Sequence, residues 1–164
     1  MGYKVTREAV HRGRSEDCDE KVFVTFEDLE VYRVAREFRK ARYAAARALP
    51  DFEKYALCSQ IRRAAVSLTN NIAEGHGRFH YPDQIRFILH SRGSLEELVD
   101  DLNVCLDENY LGPDEIATRK EKARSVLLLI NGYLRFLRKH SSESVREPEE
   151  SYSDDEERFA ALHL

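Results

Sequence analysis

Apolar residues recur along this chain at steps of three and four over four long stretches, the period of helices that each bury one face. The first stretch follows Asp28, a candidate cap, and carries Val31, Val34, Phe38, Ala41, Ala45 and Leu49 before Pro50 ends it. The second, from about Phe52 to Glu74, has Leu57, Ile61, Ala64, Ala65, Leu68 and Ile72 on one side. Gly75 follows, a residue free to take positive φ and stop the helix. The third begins at Pro82 and runs to about Asn109, with the stripe Ile85, Ile88, Leu95, Val99, Leu102 and Leu106. Gly93 lies in its middle at a cost of about 1 kcal/mol relative to Ala, so a close backbone approach is expected there. After the break at Leu111-Gly112-Pro113, the fourth carries Ile116, Ala123, Val126, Leu127, Ile130, Leu134 and Leu137. Four amphipathic helices joined by short connections predict an all-α, antiparallel, up-down-up-down four-helix bundle over residues 26–139.

The flanks read differently. Residues 1–25 form an N-terminal extension of mixed charge without clear period, an arm or a short strand around Val22 to Val24. Residues 140–164 are rich in Ser and acids, eight acidic against two basic, which is the composition of a flexible acidic tail. The net charge of −4 therefore hides a division. Between Glu30 and Arg92 twelve basic residues face six acidic ones, a net +6 set against −6 in the tail. No apolar run is long enough to span a membrane, and the first residues lack the apolar core of a secretory leader. Cys18, Cys58 and Cys105 stand far apart, an odd number without paired spacing, which suits free thiols in a reducing cytoplasm.

The charge division directs attention to cations. Arg33, Arg36, Lys40 and Arg47 share one face of the first helix, and Arg62, Arg63, Arg78 and Arg86 follow nearby. One reading is a solvated helix face. The other is a surface for RNA or DNA phosphates, beside Phe79, His80 and Tyr81 that can stack on bases. Arg92 falls on the apolar stripe of the third helix, where a buried guanidinium needs a partner. Glu74, ending the preceding helix, is the expected one, giving a structural ion pair that fixes register.

Second apolar bands accompany the main stripes and include Tyr32, Tyr43, Phe87, Leu98, Leu129 and Phe136. They predict an oligomer interface, with a wide monomer core as the alternative. Catalysis is not expected. The one Glu-x-x-His pair, Glu8 to His11, lies outside the bundle, no phosphate loop or nucleophile elbow is present, and neither metal nor cofactor is called for.

Four segments carry a resemblance: Phe26-Glu27-Asp28-Leu29-Glu30-Val31-Tyr32; Ser59-Gln60-Ile61-Arg62-Arg63-Ala64-Ala65-Val66-Ser67; Asn71-Ile72-Ala73-Glu74-Gly75-His76-Gly77-Arg78; and Arg92-Gly93-Ser94-Leu95-Glu96-Glu97-Leu98. Over about Thr25 to Lys139 the chain resembles the four-helix bundle proteins of the 23S rRNA intervening-sequence family. Thr69-Asn70 stands where many relatives carry Pro-Ala. The resemblance implies a left-handed bundle, self-association as a homopentamer and no known catalysis. The expected function is a non-catalytic bundle that binds RNA or other nucleic acid through its basic helices. A scaffold for a protein partner is the competing class.

Overall fold

A computed structural model describes residues 25–144. Those residues form four helices and no strand, so the all-α expectation holds. The strand considered at Val22 to Val24, the Glu8–His11 pair and most of the acidic tail lie outside the described residues.

A single 3-10 turn, Phe26–Asp28, opens the fold. Thr25 and Asp28 cap it reciprocally: Thr25 Oγ1 accepts from the Glu27 amide at 3.2 Å, and Asp28 Oδ2 accepts from the Thr25 amide at 2.9 Å. Helix α1 then spans Glu30–Ala48 and α2 spans Leu57–His76. Helix α3 covers Tyr81–Asp107, and α4 covers Pro113–Ser144. Each helix packs against two others, in the pairs α1–α2, α2–α3, α3–α4 and α1–α4.

The long stretch expected from Phe52 is divided. Asp51–Tyr55 is a 3-10 turn, and α2 starts only at Leu57, where the Glu53 carboxylate accepts from the Leu57 amide at 3.1 Å. That capping bond satisfies one of the free amides of the new helix and fixes its start. Glu53 also accepts from the Tyr110 hydroxyl at 2.9 Å, which ties the α1–α2 connection to the α3–α4 connection. At the end of α3 the chain leaves through Asn109 at φ 58°, with the Tyr110 amide bonded to the Cys105 carbonyl and the Asn109 amide to Leu106. This is a Schellman ending in which Asn takes the left-handed position usually given to Gly. Helix α4 continues to Ser144, five residues past the expected bundle limit, with His140 packed on Phe136 at 4.1 Å between ring centroids.

The inward faces follow a stricter repeat than the stripes suggested. In α1 the buried positions are Val31, Ala35, Phe38, Arg42 and Ala45, with Ala46 beside them. In α3 they are Ile88, Ser91, Leu95, Leu98, Leu102 and Cys105, flanked by Ser94 and Asp101. Both faces are rotated relative to expectation, and Val34, Ala41, Ile85, Val99 and Leu106 sit only half-buried at the edges. Full burial of a Leu or Ile stabilises by about 1.5–3 kcal/mol, so the layers built on Leu68, Ile72, Ile88, Leu95, Leu98 and Ile130 dominate the core.

Two glycines exchange roles. Gly75 lies inside α2 rather than stopping it; the helix continues to His76 and is closed by Gly77. A Cβ on Gly75 would meet Phe87 Cβ at 3.1 Å and the Gln84 carbonyl at 3.3 Å, so the absent side chain is what lets α3 approach. Gly93, where close approach was expected, has nothing within 4 Å of its Cβ position.

Candidate nucleic-acid interface

The outward edge of α1 is set by the same repeat that buries Phe38. Arg33, Arg36, Lys40 and Arg47 all emerge exposed. Arg33 is spent locally, its Nε donating to the Glu27 carbonyl at 3.0 Å and its Nη2 to Asp28 at 3.4 Å. Lys40 pairs with Glu37 at 2.6 Å, which together with Arg36 draws the Glu37 carboxyl below its ordinary range. Among the described residues Arg36, Arg47 and Arg63 have no carboxylate within ion-pair distance.

The structure brings only some of the eight cations together. Arg62 and Arg63 line an open cleft of about 590 Å³ with Tyr43 and Asn70. Arg62 also borders a second depression of about 140 Å³ at the α1–α2 connection, shared with Arg47, Lys54 and Asp51. The Arg62 guanidinium donates to the Lys54 carbonyl at 3.2 Å. Arg47, Lys54, Arg62 and Arg63 thus form one basic group around the end of α1 and the start of α2. Sequence reading missed Lys54 because it was placed inside a continuous helix; the charge itself was the available signal.

Arg78 and Arg86 belong to another group. Their guanidinium carbons lie 4.7 and 5.5 Å from the Phe87 ring centroid, so the half-buried Phe87 is engaged by cations of its own chain. Arg78 also pairs with Glu74, and Arg86 approaches Asp83 at 4.0 Å. Such exposed pairs contribute about 0–1 kcal/mol each. Phe79, in the adjoining turn, is 97% exposed.

The expected Glu74–Arg92 ion pair does not form. Arg92 is exposed, and Glu74 takes Arg78, its neighbour one turn on. The inward repeat of α3 uses Ser91 between Ile88 and Leu95, which turns position 92 to solvent. Ser91 suits the interior because its Oγ donates to the Leu68 carbonyl at 2.7 Å. The buried cation is instead Arg42, 2% exposed, with its guanidinium carbon 4.9 Å from the Phe38 ring centroid. Its Nε and Nη2 lack hydrogen-bond partners among the described residues, as does Oδ2 of the buried Asp101. Burial lowers the Arg42 pKa to about 10, with Arg119 adding to the effect. Burial, then Asp100 and Glu97, pushes the Asp101 carboxyl up to about 6. Arg42 was hidden because the stripe expected in α1 runs through Ala41, whereas the inward face uses the next position.

Of the residues expected at an oligomer interface, Leu98 is fully buried in the core of the single chain and drops out. Tyr32, Tyr43, Phe87 and Leu129 are half-buried, and Phe136 is 38% exposed and stacks near Tyr133. Cys58 and Cys105 are free, buried thiols; Cys58 donates to the Ala46 carbonyl, and burial raises the Cys105 pKa. No group of His, Cys, Asp and Glu suited to holding a metal occurs among the described residues, and none of their helices is long and apolar enough to cross a membrane.

A family model described as 23S rRNA-intervening sequence protein matches residues 27–132. No curated protein matches the chain.

Proposed function

The chain belongs to the 23S rRNA-intervening sequence protein family, and from that premise we propose a non-catalytic, self-associating bundle that binds structured RNA through α1 and the start of α2. The observation that carries this reading is that Arg36, Arg47 and Arg63 are exposed cations with no carboxylate within ion-pair distance among the described residues. A surface whose charges are already paired gains little from a phosphate. An unpaired one releases counterions on binding and gains affinity at low salt.

The arrangement we propose is an antiparallel, up-down-up-down and left-handed bundle. Paired contacts support it, since numbers rise along one helix as they fall along its neighbour: Arg39 meets Thr69 while Ala46 meets Cys58, and Ser67 meets Ser94 while Gly75 faces Phe87. Asn103 with Lys120 and Tyr81 with His140 follow the same rule. Inward steps of three and four in alternation are the repeat that supercoils helices left-handedly. Assembly as a homopentamer would cover the half-exposed Tyr32, Tyr43, Leu129 and Phe136. Buried free thiols suit a cytoplasmic location.

Binding of a structured RNA measured across a salt series tests the function. The logarithm of affinity should fall linearly with the logarithm of salt, by roughly 0.7–0.9 per phosphate contacted. The triple variant Arg36→Glu, Arg47→Glu, Arg63→Glu should reduce that slope by roughly two to three and weaken binding at low salt. No binding at low salt would sink the proposal and leave the protein-interaction scaffold.

A further inference from the structure

Helices α1 and α4 touch least of the four neighbouring pairs, and a groove lies along their contact. It consists of two depressions of about 430 and 380 Å³ that share Ala41 and Lys122. The first has an apolar part made by Val34, Phe38 and Val126, and exposed Lys40, Lys122 and Glu37 also line it. The second is bordered by Arg42, Arg119 and Lys122, with Glu115 the one carboxylate among them. Arg119 is engaged by Glu115 and Lys40 by Glu37, which leaves Lys122 and the buried Arg42 as cations without a carboxylate within ion-pair distance among the described residues. An apolar part beside surplus positive charge calls for an occupant that is both apolar and acidic.

The chain itself carries one. Beyond Ser144, residues 145–164 hold seven acidic and two basic residues, a net −5. The run Asp154-Asp155-Glu156-Glu157 is followed, after Arg158, by Phe159-Ala160-Ala161-Leu162. We propose that this C-terminal segment folds back along the α1–α4 groove of its own chain, with Phe159 and Leu162 on Phe38 and Val126 and the acidic run against Lys40 and Lys122.

Length permits it. From Ser144 back to the level of Val126 is eighteen residues of helix, about 27 Å at 1.5 Å each. The fourteen residues before Phe159 span up to about 46–50 Å when extended, so the segment reaches with slack to spare. Tethering also places it near the groove at an effective concentration on the order of millimolar, so modest contacts suffice to hold it. The proposal does not depend on RNA binding, although the acidic run beside Lys40 would lie at the margin of the α1 basic face.

Disulfide trapping in the full chain tests it, in a Cys18→Ser background where the described native thiols, Cys58 and Cys105, are buried. Ser125 lines the groove and is exposed, whereas Glu97 is exposed on α3. Under mild oxidation, Ser125→Cys with Leu162→Cys should form an intrachain disulfide at least about tenfold more readily than Glu97→Cys with Leu162→Cys. Adding Lys40→Glu and Lys122→Glu, or raising the salt, should lower that yield. Ser125→Cys with Phe159→Cys, a second reporter pair, should behave alike. Equal trapping at Ser125 and Glu97, or indifference to the charge reversals, would overturn the proposal. So would disulfides formed between chains in place of within one, which would assign the groove to a second copy.

Discussion

The α2–α3 and α1–α4 contacts are built from opposite materials. Between α2 and α3 small or hydroxylic side chains sit among the apolar ones: Gly75 admits Phe87, Ser91 reaches the Leu68 carbonyl, and Ser94 donates to Ser67 at 2.8 Å. Nothing there needs to keep a charge wet, so the helices close. Between α1 and α4 stand Lys40, Glu115, Arg119 and Lys122, whose long stems and hydrated heads, together with the buried Arg42, hold the surfaces apart. The lesson is that side-chain length and charge, more than total apolar content, decide where a bundle closes and where it leaves a groove.

The comparison can be strained from both sides. The largest effect belongs to the shared core: Leu98→Ala should cost about 2–5 kcal/mol in urea unfolding, because a fully buried side chain leaves a cavity. A loss below 1 kcal/mol with an altered assembly mass would return Leu98 to an interface role. On the closed side, Gly75→Ala should destabilise by about 1–3 kcal/mol, since its Cβ meets Phe87 Cβ and a backbone carbonyl. Unchanged stability there would mean that α3 can retreat at no cost.

Interior charge gives the next effect. The Asp101 carboxyl has a folded pKa of about 6, above its ordinary value of 3.8. A raised carboxyl pKa contributes stability that is present below 3.8 and is lost as pH rises through about 6. Unfolding measured from pH 7 to pH 4 should therefore reveal an Asp101-dependent gain on the order of 1–2 kcal/mol, set against losses from other carboxylates. Asp101→Asn should remove that component, and identical pH profiles for both proteins would contradict the assignment. The smallest effect is at Gly93→Ala, which should stabilise by about 0.5–1 kcal/mol, since the site is open and helical. Destabilisation at this site would reveal a close contact made by a partner.

Much of this was legible in the chain. The four helices, their breaks at Pro50 and Gly112-Pro113, and the family motifs were readable because helical period and breaker residues are local signals. The family match over residues 27–132 agrees with the resemblance read from those motifs. Face register was not readable in α1 and α3, because Arg42, Ser91 and Asp101 occupy inward positions that hydropathy assigns to water. The eye then selects Val34 and Ala41, or lets Arg92 in. Glycine roles were inverted for a related reason: sequence records that a Cβ is missing, and only the neighbour across the contact records why. Among the cations, sequence supplied the charges, while pairing of Arg78 with Glu74 and grouping of Arg47 with Lys54 and Arg62 depend on which turns meet.

The bond between Glu53 and Tyr110 has a consequence for the order of synthesis. Its partners are 57 residues apart in the chain, so the start of α2 is made well before its clasp exists. At about 5–20 residues per second, the first two helices wait several seconds at the ribosome for the end of α3 to emerge. During that interval Glu53 can already cap Leu57, but the far connection is still missing. Tyr110 therefore ties the two connections together only after α1, α2 and α3 have all been made.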